Sequence, residues 1–202
     1  KIKKMNLPGK SAQFKMTPKE LINELKKIID FKKNAKKAGV LALFYPSVSK
    51  QTMLALILRK TYKGVHSAQI GFPGGKFEAM DSSLRVTALR ETEEEIGVNQ
   101  NKVIVLKKLT EVYIPPSNFF VQPFLGYTNK TPNFILQEDE VEDLIEVPLK
   151  YFMNDSIKSF QNLSTSYAKN IEVPVFNLNN HRVWGATAMM LSEVREMLKQ
   201  LL

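Results

Sequence analysis

Cysteine is absent from this chain of 202 residues, and histidine occurs only twice, as His66 and His181. The absence of cysteine excludes a disulfide scaffold, a cysteine nucleophile and thiolate sites for zinc or iron–sulfur clusters. Two histidines are too few for a polyhistidine metal site. Because a cysteine-free chain suits a reducing compartment and no signal peptide is recognisable, we expect a cytoplasmic protein.

Long hydrophobic segments are also missing. The longest apolar runs, residues 40–45 and 53–58, are far shorter than the roughly 20 residues that span a bilayer. Hydrophobic residues make up 44% of the chain, which suits one compact domain with an ordinary core. We therefore expect a soluble protein with no membrane span.

The formal net charge of +9 belongs to one segment of the chain. Residues 1–37 hold 12 lysines against 3 acidic residues, whereas residues 38–202 hold 17 basic and 17 acidic residues. A basic balance can indicate nucleic acid or an anionic surface as a partner. We favour a solvated surface, because charge runs usually have that role, and nucleic acid stays the alternative.

The N-terminal segment, residues 1–37, is expected to be a loose start followed by an amphipathic helix. Thr17 can cap the helix, Pro18 suits its first position, and Glu20 completes a capping box. Apolar residues recur at helical spacing: Leu21, Ile22, Leu25, Ile28 and Ile29. Four lysines are expected at the end of the helix: Lys32, Lys33, Lys36 and Lys37.

Residues 38–202 alternate strand and helix signals and are expected to form one domain. Strands are predicted at residues 40–45, 53–59, 103–113 and 118–127, and a closing hairpin at residues 171–178 and 181–184, around Asn179 and Asn180. Helices are predicted at residues 81–96, at the short segment 147–152 and at residues 186–202. This order indicates an α/β/α sandwich around a mixed β-sheet.

Residues 71–98 contain the most informative pattern. Glu91, Glu94 and Glu95 stand at positions i, i+3 and i+4, so a helix places three carboxylates on one face. Like charges at this spacing repel, and Mg²⁺ or Mn²⁺ would compensate them through oxygen ligands. The preceding glycines, among them Gly74 and Gly75, form a stiff loop that lets the backbone approach a ligand. Together these features predict a site for a metal-bound phosphate.

Each feature alone has a simpler interpretation. An acidic helix face is usually solvated surface, and a Gly-Gly pair is usually only a turn. Two other phosphate-binding patterns, GxxxxGK[ST] and GxGxxG, are absent from this segment.

Taken together, the spaced residues resemble the Nudix box: a glycine, five residues, Glu, seven residues, then Arg-Glu-aliphatic-x-Glu-Glu-x-Gly-aliphatic. The matching positions are Gly75, Arg90, Glu91, Glu94, Glu95, Gly97 and Val98. Thr92 stands at the first aliphatic position, Asp81 stands at the first Glu position, and eight residues rather than seven separate Asp81 from Arg90.

The extra residue is similar to the coenzyme A pyrophosphatase branch of the Nudix hydrolases. An upstream stretch also resembles that branch: Arg59, His66, Ser67, Ala68 and Gln69, followed by Phe72-Pro73-Gly74-Gly75. Lys63-Gly64 replaces the Leu-Arg pair of the branch, and Ala68 replaces its glycine. The resemblance covers roughly residues 38–202. It implies hydrolysis of coenzyme A or acyl-coenzyme A to 3′,5′-ADP and the corresponding 4′-phosphopantetheine.

The resemblance also implies roles for individual residues. Metal ligands are expected from Gly75, Glu91, Glu94 and Glu95, and Arg90 is expected to orient the carboxylates. The general base is left open between Glu91, Glu95 and Glu140, although a solvated loop is the simpler reading of Glu140. Substrate contacts are expected from Arg59, Lys63, His66 and Lys76, with a structural histidine an equal alternative for His66.

Two further functions stay open at this stage. One is a Nudix pyrophosphatase for a nucleotide sugar, a dinucleotide or a damaged nucleoside triphosphate. The other is a Nudix-fold module that binds nucleic acid through its basic segment. Three mutually repelling glutamates have no evident structural benefit, which favours the enzyme. A small-molecule nucleotide is thus the expected partner, and a homodimer is left open.

Overall fold

The computed structural model describes residues 1–27, 34–60, 69–163 and 171–201. Five helices are described: α1 Gly9–Gln13, α2 Lys19–Lys27, α3 Leu84–Ile96, α4 Leu149–Phe152 and α5 Gly185–Lys199. The strands of the described ranges are β1 Lys36–Pro46, β2 Thr52–Arg59, β3 Ile70–Gly71, β4 Gly74–Lys76, β5 Val103–Lys108, β6 Val112–Ile114, β7 Phe119–Thr128, β8 Val141–Pro148, β9 Lys158–Leu163, β10 Ile171–Leu178 and β11 His181–Val183.

The main sheet is mixed, as the sequence predicted. Its central order is β3-β2-β1-β7-β5, and β4, β6 and β8 pair with β1, β7 and β2 respectively. Strands β1 and β7 run parallel, and the other pairs are antiparallel. A second, antiparallel sheet has the order β11-β10-β9. The α/β class and the mixed sheet are therefore confirmed.

Successive side chains of β1 point to opposite faces of the main sheet, and a hydrophobic core lies on each face. Ala38, Val40, Ala42 and Phe44 join the core that contains the apolar side of α5. Leu41, Leu43 and Tyr45 join the core that contains the apolar side of α3. The sheet consequently lies between two helical layers.

Close packing of α3 on β1 depends on Gly39. A Cβ at this position would collide with the Leu84 carbonyl and the Ala88 amide of α3. Gly39 also pairs with Gly75, and Val40 pairs with Gly74. This register places β4 beside the helix that carries the glutamates.

Several predicted elements have different boundaries in the structure. Strand β4 replaces part of the expected glycine loop, because residues 74–76 find a hydrogen-bonding partner in β1. The predicted strand 103–113 is divided into β5 and β6. Residues 147–148 end β8 rather than open a helix, and α3 begins at Leu84 rather than at residue 81, because Ser83 is its N-cap.

The expectation of a loose start before Thr17 is wrong. Helix α1 packs on α5, where the Ser192 hydroxyl donates to the Ala12 carbonyl at 2.7 Å. Met16 is buried, so burial of apolar surface orders a segment that local signals leave undefined. The Thr17 hydroxyl donates to the Gln13 carbonyl at 3.4 Å, which ties the start of α2 to α1.

The predicted lysine cluster also has a different position. Lys36 and Lys37 are the first residues of β1, not the end of a helix. Lys32 and Lys33 lie outside the described residues. In the described ranges, no helix is both long enough and apolar enough to cross a membrane.

Candidate active site

Helix α3 carries the candidate catalytic residues, and both of its ends are defined. The Ser83 side chain accepts the Val86 amide at its start. Gly97 ends the helix with φ 71°, and its amide donates to the Glu93 carbonyl. The buried side of α3 consists of Thr87, Ala88, Leu89, Thr92, Glu95 and Ile96. Glu95 is therefore the one acidic residue on this side, and it lies at the glycine strand β4.

Glu95 is held by the backbone of β4. Its side chain is 1% exposed, and the Gly74 amide donates to Oε2 at 2.7 Å. Burial raises the pKa of Glu95 to about 7, although the Arg59 charge and the Gly74 hydrogen bond act in the opposite direction. The other oxygen, Oε1, accepts no hydrogen bond from any described residue.

Glu91 lies one helical turn before Glu95 and covers Gly75. A Cβ at Gly75 would collide with the Glu91 carboxylate, so only glycine permits this approach. Burial raises the pKa of Glu91, and the Arg90 charge and hydrogen bond lower it in part. The Glu91 charge is in turn among those that raise the pKa of Glu95.

Arg90 joins three carboxylates. It donates to both oxygens of Asp81, at 3.0 and 3.1 Å, it lies 2.9 Å from Glu91 Oε1, and its Nη1 lies 2.8 Å from Glu94 Oε2. The Arg90 guanidinium holds the pKa of Asp81 at about 2. These contacts give Arg90 the geometry of an orienting residue, the role that the sequence predicted for it.

Glu94 does not converge with Glu91 and Glu95. Its side chain is 56% exposed and pairs with Arg90. In the parts of the chain that are described, no group of three or more Asp, Glu or His residues is arranged to hold a metal ion. Adjacent helix positions differ by about 100° in direction, which explains why Glu94 and Glu95 point apart.

The donor set nevertheless fits a hard divalent cation. Glu91 and Glu95 supply carboxylate oxygens one turn apart, and Glu95 Oε1 is a buried oxygen that accepts no hydrogen bond among the described residues. The Arg59 guanidinium lies 3.1 Å from this oxygen and offsets part of the cost of its burial, and a bound cation would offset more of it. Glu91 and Glu95 would hold the ion, and Glu94 would join them by turning away from Arg90.

Glu140 lies in the turn immediately before β8. Its side chain is exposed, and its carbonyl accepts the Lys60 amide at 2.9 Å. The Glu140 charge is among those that raise the pKa of both Glu91 and Glu95. The carboxylate is therefore near enough to both glutamates to act on them electrostatically.

The four expected substrate contacts have different outcomes. Lys76 is exposed at the end of β4, and its carbonyl accepts Arg90 Nη2 at 3.3 Å. Arg59 lies inside the site, with Nη2 3.1 Å from Glu95 Oε1. Lys63 and His66 lie outside the described residues. The substrate roles of all four stay predictions.

The sequence did not predict which groups hold the Glu95 carboxylate. The Gly74 amide and the Arg59 guanidinium are 21 and 36 positions away in the chain, so no local spacing connects them with this glutamate. Only the pairing of β4 with β1, and the position of β2 in the same sheet, bring the three residues together.

Comparison with known proteins gives one family. The profile described as "NUDIX domain" matches residues 35–162. The "Peroxisomal coenzyme A diphosphatase ndx-8" of Caenorhabditis elegans is 29% identical over 155 residues, which are 76% of this chain and 64% of that protein. The "Uncharacterized Nudix hydrolase NudL" of Yersinia enterocolitica is 31% identical over 156 residues, 77% of this chain and 79% of that protein. This chain thus spans slightly less than two thirds of the C. elegans relative.

A solved structure supports the fold. The Nudix hydrolase RenU from M. smegmatis has a TM-score of 0.57 with this chain at 12% identity, over 83% of this chain and 88% of RenU.

Proposed function

The chain belongs to the Nudix hydrolase family, and we propose that it is a metal-dependent pyrophosphatase that cleaves coenzyme A or acyl-coenzyme A. The reaction adds water to one phosphorus of the diphosphate and breaks the bridging P–O bond. The products are 3′,5′-ADP and 4′-phosphopantetheine, with the acyl group retained where one is present.

One observation carries this proposal: two carboxylates, Glu91 and Glu95, lie against the glycine strand β4, and a buried oxygen of Glu95 beside Arg59 accepts no hydrogen bond from a described residue. Burial of carboxylates next to one another costs free energy. Such an arrangement is typical of catalytic sites, where the cost is offset by function.

A divalent ion bound here, Mg²⁺ or Mn²⁺, would neutralise diphosphate charge and lower the pKa of a bound water. The chain's own residues do the rest. Arg90 keeps Glu91 in place over Gly75 and is itself fixed by Asp81. The narrow contact between Glu91 and Gly75 leaves the backbone of β4 beside the carboxylates, where a phosphate can approach it.

For the general base, the structure favours two of the three candidates. Glu95 accepts a hydrogen bond from the Gly74 amide and has little contact with solvent. It therefore suits the role of a metal ligand better than that of a general base. Glu140 is exposed and its charge acts on both glutamates, and the Glu91 side chain is 14% exposed. We assign the base to Glu140, with Glu91 as the alternative.

Coenzyme A is favoured as the substrate by two features of the sequence. The sequence from Arg59 to Gly75 resembles the coenzyme A branch, and the C. elegans relative is named a coenzyme A diphosphatase. The replacement of Leu-Arg by Lys63-Gly64 in that stretch keeps one positive charge for a 3′-phosphate. Another nucleotide substrate is the alternative.

The test is a screen of purified protein with Mg²⁺ or Mn²⁺ against coenzyme A, acyl-coenzyme A, ADP-ribose, NADH and nucleoside triphosphates. We expect the highest kcat/KM for coenzyme A or its acyl form, with 3′,5′-ADP released. Preference for another compound would transfer the assignment to that substrate. If none of the compounds is hydrolysed with either metal, the assignment of the protein as a pyrophosphatase is contradicted.

We keep the cytoplasm as the proposed location, with the peroxisome, named for the C. elegans relative, as the alternative. Imaging of the tagged full-length protein separates the two.

A further inference from the structure

Arg59 occupies an irregular position at the end of β2. The pairing of β2 with β8 shifts register here, since Leu58 lies opposite Asp143 and Arg59 lies opposite Val141, and the extra residue is in β8. The Arg59 amide donates to the Gln69 carbonyl at 3.0 Å, so the backbone here is fixed. The Arg59 side chain extends to α3, where its Nη2 lies 3.1 Å from Glu95 Oε1.

A closed ring of contacts connects Arg59, Gly74 and Glu95. Arg59 Nη2 donates to the Gly74 carbonyl at 2.6 Å, and the Gly74 amide donates to Glu95 Oε2 at 2.7 Å. The same Arg59 nitrogen lies 3.1 Å from Glu95 Oε1. That oxygen still accepts no hydrogen bond among the described residues, since Nη2 is directed at the carbonyl.

We propose that Arg59 is a positioning residue, which fixes the Gly74 peptide and through it the carboxylate of Glu95 for the divalent cation. This inference rests on the proposed function, and it differs from the substrate contact that the sequence predicted for Arg59. The guanidinium contacts Glu95 directly and also holds the Gly74 peptide that binds Glu95, and only 25% of its side chain is exposed.

The conformation of Gly74 explains why it needs such an anchor. Gly74 has φ 141°, which other residues rarely adopt, and a Cβ there would collide with the backbone of Gly39 and Val40. Glycine has no side chain to restrict its peptide, so the orientation depends on hydrogen bonds. Pairing with β1 holds one side of the strand, and Arg59 holds the carbonyl.

The experiment compares Arg59→Ala and Arg59→Lys with Lys60→Ala. Lys60 has the same charge at the next position, and its ammonium pairs with exposed Glu142 rather than with the site. Mn²⁺ binding to the purified protein is measured by electron paramagnetic resonance without substrate. Steady-state kinetics then give kcat and KM separately.

For Arg59→Ala we expect the Mn²⁺ dissociation constant to rise about tenfold and kcat to fall by a similar factor, with KM nearly unchanged. Arg59→Lys keeps the charge and one donor direction, so it should recover part of the Mn²⁺ affinity. Lys60→Ala should resemble the parent. If Arg59→Ala does not fold, Arg59→Lys and Arg59→Gln decide the question by the same measurements.

Unchanged or tighter Mn²⁺ binding by the Arg59 variants would overturn the proposal, because removal of a nearby positive charge alone attracts a cation more strongly. A raised KM with normal Mn²⁺ binding would make Arg59 a substrate contact instead. Arg59-dependent Mn²⁺ binding in a protein that hydrolyses none of the screened compounds would uphold the positioning role and reject the proposed function. A parent protein that binds no Mn²⁺ would overturn both.

Discussion

Arg90 binds Asp81 through two donors, with Nε 3.0 Å from Oδ1 and Nη2 3.1 Å from Oδ2. The Thr87 hydroxyl and the Glu78 amide also donate to Asp81, at 2.9 and 3.0 Å. Asp81 is followed by a short turn that ends at Ser83, the N-cap of α3. The eight residues between Asp81 and Arg90 thus form a turn and the first part of a helix, and this spacing permits a bidentate pair.

We expect Asp81→Asn to lower the free energy of unfolding by about 2–4 kcal/mol at pH 7, because it leaves the half-buried Arg90 without its principal partner. The pKa of Asp81 in the folded protein is about 2, below its ordinary value of 3.8. The stabilisation is therefore complete above about pH 4 and is lost as the pH falls through about 2. Urea unfolding at pH 7, 4 and 2.5 measures this difference.

The control for this experiment is Asp139→Asn, which alters an exposed residue of the same type. Its stability should stay within about 0.5 kcal/mol of the parent. Equal stability of Asp81→Asn and the parent at pH 7 would show that the pair contributes nothing.

Glu95→Gln should reduce kcat at least about 100-fold, because it removes a carboxylate from the proposed cation site. The fold should stay intact or become slightly more stable, since a buried carboxylate is replaced by a neutral amide of similar shape. Glu93→Gln on the same helix is the matched control, because Glu93 accepts the Gln100 amide outside the site. Full turnover by Glu95→Gln at saturating Mg²⁺ would reject the site.

Gln13→Ala should destabilise the protein by about 1.5–3 kcal/mol, because Glu193 is fully buried and Gln13 Nε2 donates to its carboxylate at 3.0 Å. The remaining donors to Glu193 come from Thr110. Thermal unfolding should show a lower midpoint for Gln13→Ala and almost no change for Lys10→Ala, an exposed position on the same helix. The same midpoint in both variants would mean that α1 is not anchored through Glu193.

Dephospho-coenzyme A should be about tenfold poorer than coenzyme A in kcat/KM, since it lacks the 3′-phosphate that a basic residue would contact, and this ratio corresponds to roughly 1.4 kcal/mol. The sequence assigns the contact to Lys63, so Lys63→Ala should remove the preference without affecting dephospho-coenzyme A. Equal kcat/KM values for the two compounds with the parent protein would exclude such a contact.

The sequence by itself determined the features that depend on neighbouring residues. The spacing of Glu91 and Glu95 predicts a shared helix face, and the structure places both on the side of α3 that meets β4. Asn179 and Asn180 predict a two-residue hairpin turn, and both have positive φ, as a type I′ turn requires. Helical periodicity and turn chemistry act over a few residues, so they are readable without the fold.

Tertiary structure decided the rest. The i, i+3, i+4 spacing predicts that Glu94 shares a helix face with Glu91 and Glu95. Its exposure and its ion pair with Arg90 nevertheless separate it from Glu95. Helix α1 has little local signal and is ordered by its packing on α5. Arg59 meets Glu95 because β2 and β4 both pair with β1, which brings together residues that are far apart in sequence. Strand register and burial are properties of the whole chain, and they set which carboxylate is exposed and which is buried against β4.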